Sequence, residues 1–145
     1  MKYHIPFIIW LIVIFIESSF PSSAYPEVNI FQADKIVHLG IYGLLGLLCY
    51  ISLIHQNKIQ TFYNHPYIWT IILCSFYGAS DEFHQLFVPG RDCEFFDWVG
   101  DTVGAILAVL VIKYFLEKRM KIFKVTVNWD FIFFINVLKL IILFL

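Results

Sequence analysis

The sequence predicts an all-α integral membrane protein: a compact bundle of four transmembrane helices, with a fifth C-terminal hydrophobic segment. Three observations predict it. Of 145 residues, 60% are hydrophobic and 14% charged, with a mean hydropathy of +0.77; soluble domains average about 45–50% apolar and 25% charged. In water a chain this size forms one modest core, too small to hide so much apolar surface. The apolar residues also fall in runs close to the roughly 20 residues that a membrane helix needs, and prolines, glycines and charges separate the runs.

The first span is expected at 3–20, with an apolar heart from Ile5 to Ile16. Lys2, this run and Ser22-Ser23-Ala24 also have the layout of a cleaved signal peptide. Glu17 beside the run and the polar stretch before Ala24 favour a retained span. Pro21 to Ala33 is a polar connector. The second span is expected at 34–54, with Asp34 as helix cap. Pro66 suits the first turn of a helix and opens the third span, 66–88, which stops at the breaker pair Pro89-Gly90. After the loop Arg91–Glu94 comes the fourth span, 95–116. Residues 3–116 thus form one membrane domain, and 117–145 a basic segment plus an apolar tail. The tail, 131–145, is broken by Asn136 and Lys139 and either spans or lies in the interface.

Three cysteines cannot build a framework of paired disulfides. Cys49 and Cys74 sit in apolar runs and read as core residues, while Asp92 and Glu94 disfavour a thiolate at Cys93. No basic run interleaved with aromatics suggests a nucleic-acid partner; the expected partner is the lipid bilayer.

Alternation alone places the start of span two, the end of span three and the start of span four on one side of the membrane. Lysine and arginine accumulate on the cytoplasmic side. Lys2, Lys58, Lys113, Lys118, Arg119, Lys121 and Lys124 share one side, and only Lys35 and Arg91 the other. The chain is therefore expected to be multi-pass, with a cytoplasmic N-terminus. Nine of the eleven acids (Glu17, Glu27, Asp34, Asp81, Glu82, Asp92, Glu94, Asp97 and Asp101) then face out.

His38 lies four residues inside the start of span two, Asp101 four inside Asp97, and His84 four before Val88. At 1.5 Å rise per residue each is about 6 Å below the outer surface. Helix-face spacing groups Asp34, His38 and Tyr42 on span two, Tyr77, Asp81 and Gln85 on span three, and Asp97, Asp101 and Ala105 on span four. Ionisable residues beside membrane spans are costly and mark functional sites by default. The plain alternative is that the histidines pack within the bundle, hydrogen-bonded to carboxylates. Asp81, Glu82, Asp97 and Asp101 are oxygen ligands suited to a hard divalent cation such as Mg²⁺ or Ca²⁺. A zinc reading would use His38, His84 and a carboxylate, but without a His-Glu-x-x-His pattern. Glu82, His84 and His38 are the candidates for acid–base catalysis. Arg91 and Lys35 suit a phosphate, which arginine grips bidentately; the alternative for Arg91 is a pair with Asp92 or Asp97.

Three blocks resemble the VanZ-like family: Asp34-Lys35-x-x-His38-x-x-x-Tyr42; Ser80-Asp81-Glu82-x-His84-Gln85-x-Phe87-x-Pro89-Gly90-Arg91; and Asp97-x-x-x-Asp101-Thr102-x-Gly104. The resemblance covers about Tyr3 to Leu116 and includes the first span. At Asp101 the family usually has asparagine. The resemblance implies a small bacterial membrane protein of the cell envelope, located in the inner (cytoplasmic) membrane, in a family named for a protein that lowers susceptibility to the glycopeptide teicoplanin. The leading expectation is an outward-facing pocket that binds an anionic lipid-linked or wall-precursor ligand through Lys35, Arg91, Asp34, His38, Tyr42, Asp81, Gln85, Asp97 and Asp101, with a divalent cation as the one cofactor considered. The alternatives are an intramembrane metal- or histidine-dependent hydrolase or transferase on lipid head groups, and a non-catalytic assembly subunit.

Overall fold

A computed structural model describes residues 2–24 and 33–117; the Asp34 side chain, Glu27, the basic residues from Lys118 to Lys124 and the tail 131–145 lie outside the described residues. All regular structure among the described residues is helical. Helix α1 (Ile5–Ser18) carries Pro6 in its first turn, and a 3₁₀ turn follows at Ser22–Ala24. Then come α2 (Ala33–Ile54), a short α3 (Gln60–Asn64), α4 (Pro66–Gln85) and α5 (Phe95–Val111), which runs on into a π-helical stretch at Ile112–Glu117.

Two stretches, Lys35–Ile54 and Phe95–Phe115, are long and apolar enough to cross a membrane. The other two expected spans differ. Helix α1 is apolar but has 14 residues. Helix α4 has 20, but its last turns carry Ser80, Asp81, Glu82, His84 and Gln85. It also ends at Gln85 rather than Val88, because the Phe87 and Val88 amides turn back to the carbonyls of His84 and Gln85. Pro89 cannot continue the helix, and Gly90 takes φ +76°, a left-handed conformation that glycine adopts without steric cost.

Large apolar side chains cover the outside of the bundle, and the interior combines an apolar core around Ile14, Leu45 and Cys49 with buried polar groups. Ile8 (51% exposed), Ile12, Phe76 (75%), Leu107 and Leu110 face outward. Thr70, Asp81, Glu82, Gln85, Asp97 and Asp101 are buried. An apolar exterior with the ionisable groups turned inward suits lipid as the solvent.

The tightest seam joins α2 and α5. A Cβ on Gly104 would run into the Leu39 carbonyl oxygen and lie 3.0 Å from the Gly43 nitrogen, so only glycine fits there. One turn further, a Cβ on Gly46 would lie 3.0 Å from that of Ala108. Small residues that let backbones approach are a usual basis of helix association where lipid removes the hydrophobic drive. Polar ties hold the remaining helices. Trp98 Nε1 donates to the Ser75 carbonyl (3.0 Å) and the Ser75 and Thr102 hydroxyls meet at 2.9 Å, joining α4 to α5. Trp10 Nε1 donates to the Ile41 carbonyl (3.1 Å) and the Tyr77 hydroxyl to the Leu11 carbonyl (2.6 Å), joining α1 to α2 and α4.

Candidate functional site

The close seam brings the start of α2 against the start of α5, and the end of α4 meets both. His38 and Asp101 face each other across the seam, Nδ1 to Oδ1 at 2.9 Å. An ionised carboxylate only accepts, so Nδ1 donates this bond and Nε2 points away from Asp101 on the other side of the ring. Asp101 is fully buried, and its Oδ2 has no hydrogen-bond partner. Gly78 makes the room for it: a Cβ there would lie 2.8 Å from that oxygen. The buried Tyr42 hydroxyl is also unpartnered.

One turn nearer the helix ends, Lys35 Nζ donates to Asp97 Oδ1 at 2.7 Å and to Glu94 Oε2 at 3.0 Å. Asp97 stands in the first turn of α5, where the helix dipole favours a negative charge. Glu82, 3% exposed, accepts the backbone N–H of Glu94 through Oε2 (2.9 Å), so a carboxylate of α4 satisfies an amide at the start of α5. Its Oε1 is buried without a partner. His38, Glu82 and Asp97 each offer a ligand atom, all within 4.8 Å of one another.

A second polar group forms where α1 ends. Ser19 Oγ and His84 Nε2 are 3.1 Å apart, and the His84 ring lies against Phe15 at 4.8 Å between centroids. Arg91 Nε donates to the Phe20 carbonyl at 3.2 Å, and its Nη2 is 3.6 Å from Glu17 Oε1. Asp81 is buried beside Ser18 and Gln85.

Lys35, His38, Glu82, Asp97 and Asp101 are therefore brought together, with Tyr42 close by. Asp81 and Gln85 are buried on the side of α4 that meets Ser18 of α1. His84 and Arg91 bind the end of α1 instead, and Arg91 pairs with Glu17 rather than with Asp92 or Asp97. Sequence reasoning missed Glu94, which both Lys35 and Glu82 use, and Gly78, whose missing side chain admits Asp101. Glu94 carried a signal in the acidic loop; Gly78 carried none without its partner helix. Cys93 is exposed in that loop, and desolvation together with the Glu82 carboxylate pushes its thiol upward, which leaves it a poor nucleophile.

An apolar exterior around a buried carboxylate–imidazole cluster defines the class: a small helical protein built for an apolar solvent. A family model described as VanZ/LLP1 matches residues 4–117, and the chain belongs to this family. No curated protein and no solved structure matches the chain.

Proposed function

We propose that this VanZ-family chain is a multi-pass protein of a bacterial inner membrane. Its N-terminus is cytoplasmic, α1, α2, α4 and α5 cross the bilayer, and the cluster opens to the outer face. There it binds an anionic envelope component, a lipid-linked phosphate or a wall precursor. The observation that carries this reading is the pairing of Lys35, a third exposed, with Asp97 and Glu94 at the rim of the buried group. A phosphate approaching this rim competes with the carboxylates for the ammonium, so Lys35 is the primary anion contact. Arg91, held by Phe20 and Glu17, stands at the neighbouring edge. Through a wall precursor, the same site links the protein to teicoplanin susceptibility.

The test is binding of a polyprenyl phosphate by the purified chain in lipid nanodiscs. Lys35→Gln, which removes the charge but keeps a hydrogen-bond donor for Asp97, is expected to weaken binding at least tenfold in a chain that still folds, and cells carrying it should lose any shift in teicoplanin susceptibility. Equal affinity for wild type and variant would rule out the pocket as an anion site.

A further inference from the structure

Four carboxylates, Asp81, Glu82, Asp97 and Asp101, are buried at one end of the bundle. The cationic side chain bonded to this group is Lys35, which serves Asp97 and the loop residue Glu94. His38 adds an imidazole whose Nδ1 is occupied by Asp101. Buried carboxylates without counter-charge are costly. Yet Glu82 Oε1 and Asp101 Oδ2 are buried with no hydrogen-bond partner at all.

We propose that His38, Glu82 and Asp97 bind a divalent transition-metal ion, with Asp101 as the residue that orients His38. Their ligand atoms lie within 4.8 Å of one another. Bonds of about 2.0–2.2 Å, as zinc makes to nitrogen and oxygen, require separations of about 3–4.3 Å, so small side-chain movements close the site. Asp101, His38 and the ion reproduce the carboxylate–histidine–metal relay that fixes the imidazole tautomer and strengthens its donor nitrogen. Glu82 supplies the unpartnered Oε1, its other oxygen being held by the Glu94 amide. Asp97, whose Oδ1 takes the Lys35 ammonium, offers the third ligand atom.

One nitrogen and two oxygens suit Zn²⁺ or Mn²⁺; Ca²⁺ wants six to eight oxygens, and Mg²⁺ prefers oxygen and water to imidazole. Three protein ligands leave coordination positions open to water or to a phosphate oxygen. This last point rests on the proposed anion site; binding of the ion does not.

The experiment uses the full chain in nanodiscs, stripped with chelator and titrated with Zn²⁺, Mn²⁺, Mg²⁺ and Ca²⁺ separately, with bound metal measured by elemental analysis. One Zn²⁺ or Mn²⁺ per chain is expected. Glu82→Gln and His38→Ala should weaken binding at least tenfold, and Asp101→Asn by about 10–100-fold, the usual effect of losing such an orienting partner. His84→Ala, which alters the group at α1, should leave affinity unchanged. Asp101→Asn keeps the size of the side chain and serves where the ligand variants fail to fold. Wild-type chain that binds neither Zn²⁺ nor Mn²⁺, whatever it does with Mg²⁺ and Ca²⁺, or Asp101→Asn and Glu82→Gln variants that bind as tightly as wild type, would overturn the site. Polyprenyl phosphate bound equally with and without metal would leave the anion reading standing, and metal bound without any effect on that lipid would leave the metal site standing.

Discussion

The two polar groups of this bundle draw on the same block of sequence, Ser80 to Arg91, yet they are built differently. The inner group is closed by backbone: α2 and α5 touch at Gly43 and Gly104, and that contact sets the 2.9 Å meeting of His38 and Asp101. The group at α1 is closed by side chains: Asp81 lies by Ser18 in the interior, while Ser19 to His84 and Glu17 to Arg91 form an outer tether on exposed or half-exposed ground. Successive helix residues point about 100° apart, so Glu82 turns to α5, Phe83 outward and His84 to α1. A single motif thus serves a rigid site and a tether. The rigid site is placed by seams that cannot yield, whereas the tether is placed by contacts that can be exchanged for water or head groups.

The sharpest way to break that contrast is Gly104→Ala. The new methyl would meet the Leu39 carbonyl and the Gly43 amide, both main chain, so no rotamer change relieves it. Overpacking costs about 1–3 kcal/mol, occasionally more, and the upper end is expected here because the obstacle is backbone on both sides. The measurement is reversible unfolding in mixed micelles. A loss under about 1 kcal/mol would show that α2 and α5 can part freely, and the inner group would then be no more rigid than the tether.

The sequence made much of this legible. The runs, breakers and composition predicted an all-helical chain, and the four-residue spacings predicted that His38 and Asp101 share a level. Pairing between helices was harder to read. Helical spacing groups Asp81 and Gln85 on α4, but it is Glu82 that reaches His38 and Asp97, because the tight α2–α5 seam fixes which side of α4 they meet. His84 and Arg91 looked like members of one pocket, since the motif places them within a few residues of Glu82. Their true partners, Ser19, Phe20 and Glu17, lie more than 60 residues earlier, and no local pattern joins positions that far apart.

His84→Ala is the intermediate case. It removes an exposed hydrogen bond to Ser19 and the contact with Phe15. A typical hydrogen bond contributes about 0.5–1.5 kcal/mol; this one is exposed to water, so a loss at the lower end of that range is expected, with α1 more accessible to protease and the inner group intact. A loss as large as that of Gly104→Ala would mean that α1 is part of the rigid frame.

The smallest effect should come from Glu17→Gln. The Glu17–Arg91 pair spans 3.6 Å, and the Glu17 side chain is 46% exposed. Exposed ion pairs contribute about 0–1 kcal/mol, because water screens them and two long side chains lose freedom. Glutamine keeps the length and an acceptor oxygen, and Arg91 keeps its bond to the Phe20 carbonyl. Stability should therefore change by no more than about 0.5 kcal/mol, while one negative charge leaves the neighbourhood of Arg91. That separation of effects is what makes the variant informative. If polyprenyl phosphate binding tightens while stability stays level, Arg91 is an anion contact that Glu17 restrains, and the tether borders the ligand. If neither quantity moves, Arg91 serves only to hold the Pro89-Gly90 turn against α1, and ligand recognition is confined to Lys35 and the inner group.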